Sequence, residues 1–201
     1  MTREPSEDER ARQRGAGPFP RRLKPAYPGS GLDTPRPPIG PKAAAIAARQ
    51  AEATTPGDPR DPNTRLGPVV SEAQWRKVQD LIEKGIAEGA ELVAGGPGRP
   101  DGLDKGWFVR PTVFSNVRND MTIAREEIFG PVLSVLTFRT PHEAVEKANN
   151  TPYGLSAGVW SDKGSRILWM ANQLRAGVVW ANTFNKFDPT APFGGYKESG
   201  Y

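Results

Sequence analysis

The sequence predicts an α/β fold: a parallel sheet covered by helices, behind a disordered N-terminal head. Three observations carry that expectation. Apolar strand-like runs and helical stretches alternate as strand, helix, strand, helix, strand over residues 132–181, the rhythm of parallel strands joined by crossover helices. Two hydroxyl residues, Ser71 and Thr140, each stand three positions ahead of an amide or a carboxylate, Gln74 and Glu143, which is the signature of a capped helix start. Finally, 12 of the 21 prolines fall in residues 1–63, so the average composition hides an irregular head and an ordinary body.

Within the head, residues 1–42 have no apolar periodicity and dense turn punctuation: Gly17-Pro18, Pro28-Gly29, Pro37-Pro38 and Gly40-Pro41. Such a segment buries too little apolar surface to offset the cost of ordering its backbone, and disorder is expected. The alanine run at 43–48 has strong helix propensity but little amphipathic character, which leaves a short helix and a frayed segment both open over 41–55. Residues 56–62 are a turn-rich breaker. The chain therefore divides into a head, 1–56, and a body, 57–201.

The body's first helix starts at Ser71 and places Trp75, Val78, Leu81, Ile82 and Ile86 on one apolar face, with Gly89 as its stop. A short strand, 92–94, leads into a Gly/Pro loop, 95–106. Residues 107–114 are extended, and Pro111 points to an edge or an irregular path. After a polar turn, 115–120, and the segment 123–131, a strand is expected over 132–138. The helix capped by Thr140 has proline at its first position and Ala144, Val145 and Ala148 on its inner side. A turn at 151–154 precedes a strand at 155–160. Ser161 then caps a helix with Ile167, Leu168, Ala171 and Leu174 on one face, Gly177 ends it, and 178–181 is the last strand. An irregular tail follows at a strand's C-terminal end, where open α/β sheets place their ligands.

Composition excludes several functions. The chain has 201 residues, a net charge of +4, no cysteine and one histidine, His142. Disulfides, thiolate zinc sites and cysteine nucleophiles are ruled out, and no multi-histidine metal site can form within one chain. The positive charge sits mostly in the head, which carries 11 Lys+Arg against 8 Asp+Glu over residues 1–63. That leaves the body nearly neutral and without a footprint for nucleic acid. The N-terminus is polar and unlike a signal peptide, and no apolar run spans a bilayer. A soluble cytoplasmic protein with no membrane or nucleic-acid partner is expected.

The candidate site lies at Ile123-Ala-Arg-Glu-Glu-Ile-Phe-Gly-Pro131. A carboxylate on a turn at the mouth of a strand can accept hydrogen bonds from vicinal hydroxyls such as those of a ribose, and the ring of Phe129 can support a flat heterocycle. The alternative is that Glu126 and Glu127 are solvated and Phe129 is core. His142 reads as a solvated residue near a cap, since no converging partners support a general base. The three tail rings, Phe184, Phe187 and Phe193, either pack under the loop or line an apolar pocket.

From Gly57 onward the sequence resembles the NAD(P)-dependent aldehyde dehydrogenase family. Gly57-Asp-Pro-Arg-Asp-Pro62, Leu66-Gly-Pro-Val-Val-Ser71, Gly106-Trp-Phe-Val-Arg-Pro-Thr-Val113, Glu126-Glu-Ile-Phe-Gly-Pro131, Asn149-Asn-Thr-Pro-Tyr-Gly-Leu155 and Pro192-Phe-Gly-Gly-Tyr-Lys-Glu-Ser-Gly200 follow the family's order and spacing. The resemblance implies an α/β fold that is part of the catalytic domain. It implies oxidation of an aldehyde to a carboxylic acid with NAD or NADP as cofactor. By motif position, Glu127 takes the nicotinamide ribose, Phe129 packs near the nicotinamide ring, and Gln74 and Lys77 lie where a helix reaches the cofactor. Asn182, Phe187 and Phe193 match the wall of the aldehyde pocket.

The departures set a limit on that reading. The family uses a cysteine thiolate, a general-base glutamate and an oxyanion-hole asparagine, all upstream of the Gly57 position. The head stands in that place here, and no cysteine is present anywhere. Its Arg/Pro/Gly/Ala-rich, unpatterned sequence is what a shifted reading of GC-rich DNA produces. The expectation is therefore a truncated form, inactive alone and prone to aggregate, with no catalytic residue of its own. The alternative is a non-catalytic module that binds a homologous subunit.

Overall fold

The computed structural model describes residues 39–200; the disorder expected at 1–38 lies outside them. Helix α1, Ile39–Glu52, opens the described part, so of the two readings left open for 41–55 the helix holds. Its alanines supply the contact surface. Ala48 is buried with Ala94 and Val113, and Ala47, Ala51, Val93 and Val135 pack around them. Small side chains let the helix lie close on the sheet.

Helix α2, Glu72–Ala87, begins as the cap predicts: the Ser71 side chain accepts from the Gln74 N–H at 3.2 Å. Val78, Leu81 and Ile82 are buried, while Ile86, expected on the same face, stays 41% exposed. The helix closes at Gly89, whose φ of +88° suits a residue without a Cβ. The Ala90 N–H reaches back to the Gly85 carbonyl at 3.0 Å, a Schellman closure.

Strands β1 (Glu91–Ala94) and β2 (Thr112–Ser115) pair antiparallel, and β3 (Val132–Ser134) pairs parallel to β2 on its other side. β2 is central and buried along its whole length. Of the two readings of Pro111, the edge is corrected and the irregular path holds: residues 107–111 lie in no strand, and the proline stands one residue ahead of β2, where no ladder donor is needed. β3 is also shorter than the 132–138 expected. Between β2 and β3 lies the short helix α3, Thr122–Arg125. The main core gathers Val78, Leu81, Ile82, Val109, Phe114, Met121, Ile123 and Ile128 between α2, α3 and this sheet.

The remainder is built from α4 (Pro141–Asn149), β4 (Tyr153–Gly154), β5 (Ser156–Val159), α5 (Gly164–Gln173), β6 (Val178–Ala181) and β7 (Tyr196–Lys197). β5 and β6 run parallel, as the alternation predicts. They form a sheet of their own, however, and are not hydrogen-bonded to β3. β4 and β7 make a third, antiparallel pair where a turn and an irregular tail were expected. Neither α4 nor α5 contains a buried residue, so their predicted inner faces are covered only in part, with Ala148 and Leu168 exposed. Ser161 does not cap α5. Its hydroxyl accepts from the Lys163 N–H at 3.2 Å, one turn before the helix begins.

Candidate functional site

The segment 126–130 is held from three sides. Upstream, the Glu88 carboxylate accepts from the Thr122 N–H at 2.7 Å and from its hydroxyl at 2.6 Å. These bonds fix the start of α3, and the Thr122 hydroxyl above all holds the Glu88 carboxyl below its ordinary value. Inside, Ile128 is buried in the core at 7% exposure. On the flank, Gln74 and Lys77 stand three residues apart on α2 and so share a face. Gln74 Nε2 donates to the carbonyls of Ile128 at 3.1 Å and Phe129 at 3.0 Å, and Lys77 Nζ donates to the Glu127 carbonyl at 3.0 Å.

These bonds leave the functional groups of the turn free. Phe129 adopts φ +56°, a left-handed conformation that costs free energy for a residue with a Cβ. The residue is 71% exposed. The surface-and-core alternative is half corrected, because Ile128 and not Phe129 enters the core. Glu127 is exposed, and its carboxylate has no hydrogen-bond or ion-pair partner among the described residues. Gln74 is also not the reciprocal half of a capping box, since its side chain reaches across to the turn instead of back to the helix start.

The second predicted group lies beyond β6. Phe187 and Phe193 meet edge to face with centroids 5.0 Å apart, and Phe187 meets Trp180 at 5.3 Å. Phe184 meets Trp180 at 4.9 Å. Trp180 is buried, whereas Phe187 is 59% and Phe193 51% exposed. Asn182, at φ +54°, is engaged differently: its amide accepts from the Ser161 N–H at 2.9 Å and donates to the Ser161 carbonyl at 3.1 Å. That clamp joins the ends of β5 and β6. His142 packs edge-on against Trp169 at 4.5 Å, linking α4 to α5.

Two motifs acquire a structural role that spacing alone did not show. Lys197 Nζ donates to the Asn149 and Thr151 carbonyls, each at 2.8 Å, and the Gly154 N–H donates to Ser199 Oγ at 3.2 Å. Asn149 in turn closes the end of α5 through the Gln173 carbonyl and the Arg175 N–H. The Thr151 hydroxyl donates to the Arg125 carbonyl at 3.1 Å, at the base of the Glu127 turn. The tail motif thus locks the 149–154 motif, which is bonded to α3. No helix of the described residues is long and apolar enough to cross a membrane.

The same fold recurs in known proteins. A curated Staphylococcus epidermidis relative with an aldehyde dehydrogenase name is 53% identical over 144 residues, which are 72% of this chain and 30% of the relative. The crystal structure of a mutant aldehyde dehydrogenase C of Pseudomonas syringae with NAD+ and octanal superposes with a TM-score of 0.78 at 48% identity. It covers 81% of this chain and 33% of that one. The Mycobacterium tuberculosis aldehyde dehydrogenase with NAD+ gives a TM-score of 0.77 at 45% identity, with 81% and 33% covered. The chain therefore spans about a third of the length of the relatives it matches. The Aldehyde dehydrogenase family model matches residues 39–201, taking in α1 as well as the motif-bearing stretch from Gly57. With the family model, the curated relatives and the fold of the solved structures all in agreement, the chain belongs to the aldehyde dehydrogenase family.

Proposed function

We propose that this chain carries one side of an aldehyde dehydrogenase active site and does not complete the reaction alone. The observation that supports this most is the Glu127 turn: a carboxylate with no partner among the described residues, beside an exposed phenylalanine held in a left-handed conformation. Those groups fit a nicotinamide cofactor, NAD or NADP. The Glu127 carboxylate would accept hydrogen bonds from the ribose hydroxyls, and Phe129 would flank the nicotinamide. When bound, the cofactor supplies the hydride acceptor for aldehyde oxidation. Gln74 and Lys77 serve that grip through the backbone of the turn, with Phe187 and Phe193 as the apolar wall for the aldehyde and Asn182 as the clamp beneath them. No cysteine is present to attack the carbonyl, so the family's covalent step has no nucleophile here.

The test is aldehyde-dependent NAD(P)H formation by the purified chain, with octanal and either NAD+ or NADP+. The expected result is no formation above the blank. Turnover that disappears in Glu127→Gln would overturn the inactive reading while supporting the site.

A second reading, a non-catalytic module for a homologous subunit, rests on different residues. Leu168, Phe138 and Trp160 are all more than half exposed, and apolar side chains of this size can be covered by a partner. Stable association with a homologous aldehyde dehydrogenase polypeptide would support it.

A further inference from the structure

The two rings read as the aldehyde wall stand on an irregular loop between β6 and β7, and each is more than half exposed. Exposed side chains exchange rotamers freely unless something fixed holds them. Hydrogen bonds inside the loop close a local turn. Asp188 accepts from the Thr190 N–H at 2.9 Å and its hydroxyl at 2.7 Å, and the Ala191 N–H donates to the Asp188 carbonyl at 3.0 Å.

Trp180 reaches this loop from the sheet. It stands on β6 opposite Gly158 of β5 and is 8% exposed. Its indole N–H donates to the Lys186 carbonyl at 3.0 Å, one residue ahead of Phe187. Its ring meets Phe187 with planes 88° apart, and Phe187 meets Phe193 at 82°. One buried side chain therefore grips the loop twice, by backbone and by ring, and reaches the second ring of the wall through the first. Such edge-to-face contacts are directional, because a ring's edge is positive and its face negative. The glycine across the strand pair leaves room for the rings around Trp180. A Cβ at Gly158 would lie 3.2 Å from the Phe184 ring and 2.6 Å from the Trp160 ring. Phe184, tilted 67° to Trp180, braces it.

We propose that Trp180 is a positioning residue for the aldehyde wall: buried itself, it sets the places of Phe187 and Phe193. The inference rests on the reading of those two rings as that wall. A wall whose rings are already placed binds a ligand without the cost of ordering them. Loosening Trp180 should then weaken binding while β5 and β6 stay paired.

The probe is benzyl alcohol, whose ring can fill an apolar wall and which does not condense with lysine. It is titrated into the 201-residue chain with labelled phenylalanine rings, and the Phe187 and Phe193 resonances are followed by NMR. Hydrogen exchange of the β5 and β6 amides reports on the strand pair. The expected result is a shift of both rings in the parent chain. Trp180→Phe keeps a buried ring but loses the N–H to Lys186, and should weaken probe binding by about threefold or more. Phe184→Leu removes the half-exposed brace and should weaken it by about twofold. In both variants β5–β6 exchange should stay within about twofold of the parent. Unchanged probe binding in both variants overturns the positioning role and leaves the wall reading standing. Weakened binding that comes only together with faster β5–β6 exchange overturns it too, since Trp180 would then serve strand packing alone. A probe that shifts neither ring of the parent chain overturns the wall reading and the inference with it.

Discussion

The two halves of the described fold carry similar apolar patterns, yet only the first buries residues of its long helices. In the first half, α2 and α3 close over the β1–β2–β3 sheet, and Val78, Ile82, Phe114 and Met121 are almost fully excluded from water. In the second, α4 and α5 carry helical apolar faces with no buried residue, and Leu168 remains 69% exposed. The difference teaches that amphipathic spacing reports a face meant for burial, and that burial also needs a second layer. β1, β2 and α1 provide that layer in the first half. In the second, α5 lies against a sheet of only two strands, β5 and β6.

The largest expected effect breaks the comparison at its strongest point. Phe114→Ala should cost about 3–5 kcal/mol, since it empties a fully buried site wedged between α2 and the sheet. Leu168→Ala should change stability by no more than about 0.5 kcal/mol, because its side chain already meets water. Denaturant unfolding of both variants measures the contrast. A cost above about 2 kcal/mol for Leu168→Ala would show that the second half packs more tightly than its exposure indicates.

The next effect concerns the turn that links the halves. Gln74→Ala removes two bonds to the Ile128 and Phe129 carbonyls and should cost about 1–2 kcal/mol. It should also raise protease sensitivity near Phe129, whose left-handed backbone then loses its support. Lys77→Ala, removing one exposed bond, should do less. Equal resistance in Gln74→Ala and the parent chain would mean that Ile128 burial alone holds the turn.

Much of the element order was legible in the residues, and so was the position of the turn. The Ser71 and Thr140 caps, the β5 and β6 runs and the Glu127–Phe129 motif all rest on local chemistry that a sequence displays. What stayed hidden depends on partners far along the chain. Gln74 carries a capping-box pattern, but two carbonyls 54 and 55 residues away compete for its amide and win. Ser161 has a cap's hydroxyl but spends it on a local turn at Lys163. The alternation over 132–181 gave strand direction correctly and could not reveal that β3 and β5 stand in separate sheets, because strand order is a property of the sheet and not of any segment. Asn182 matched a pocket wall by position, and only its two bonds to Ser161 show it closing the ends of β5 and β6.

A smaller effect tests whether the caps of the two halves differ in weight. Thr140 Oγ1 accepts from the Glu143 N–H at 3.2 Å, the same bond and length as Ser71 Oγ with Gln74. Thr140→Ala and Ser71→Ala should each cost about 1 kcal/mol. The loss should appear globally for Ser71, whose helix feeds the core, and as local fraying of α4 for Thr140. Hydrogen exchange across α2 and α4 separates the two outcomes. Global unfolding from Thr140→Ala would make the halves one cooperative unit.

The smallest effect is one of pH, and it belongs to the thinly packed half. Glu143 Oε2 accepts from the Arg139 N–H at 2.9 Å, and Glu143 is paired with Lys147 at 2.9 Å. The Arg139 N–H first, and the Lys147 ammonium next, pull its carboxyl down from the ordinary 4.5 to about 2. A carboxylate whose folded value is depressed stabilises the fold above its unfolded value and loses that contribution as pH falls towards the folded one. The window is therefore from 4.5 down to about 2. Within it, protection of the α4 amides should decline relative to α2, and Glu143→Gln should remove the dependence while leaving the Thr140 cap in place. Because the Glu143–Lys147 pair is only partly covered, with side chains 23% and 29% exposed, added salt should shrink the effect. A decline that survives both Glu143→Gln and high salt would move the acid-sensitive group to Glu88, whose carboxyl is likewise held low at the start of α3, and so from the open half of the fold to the packed one.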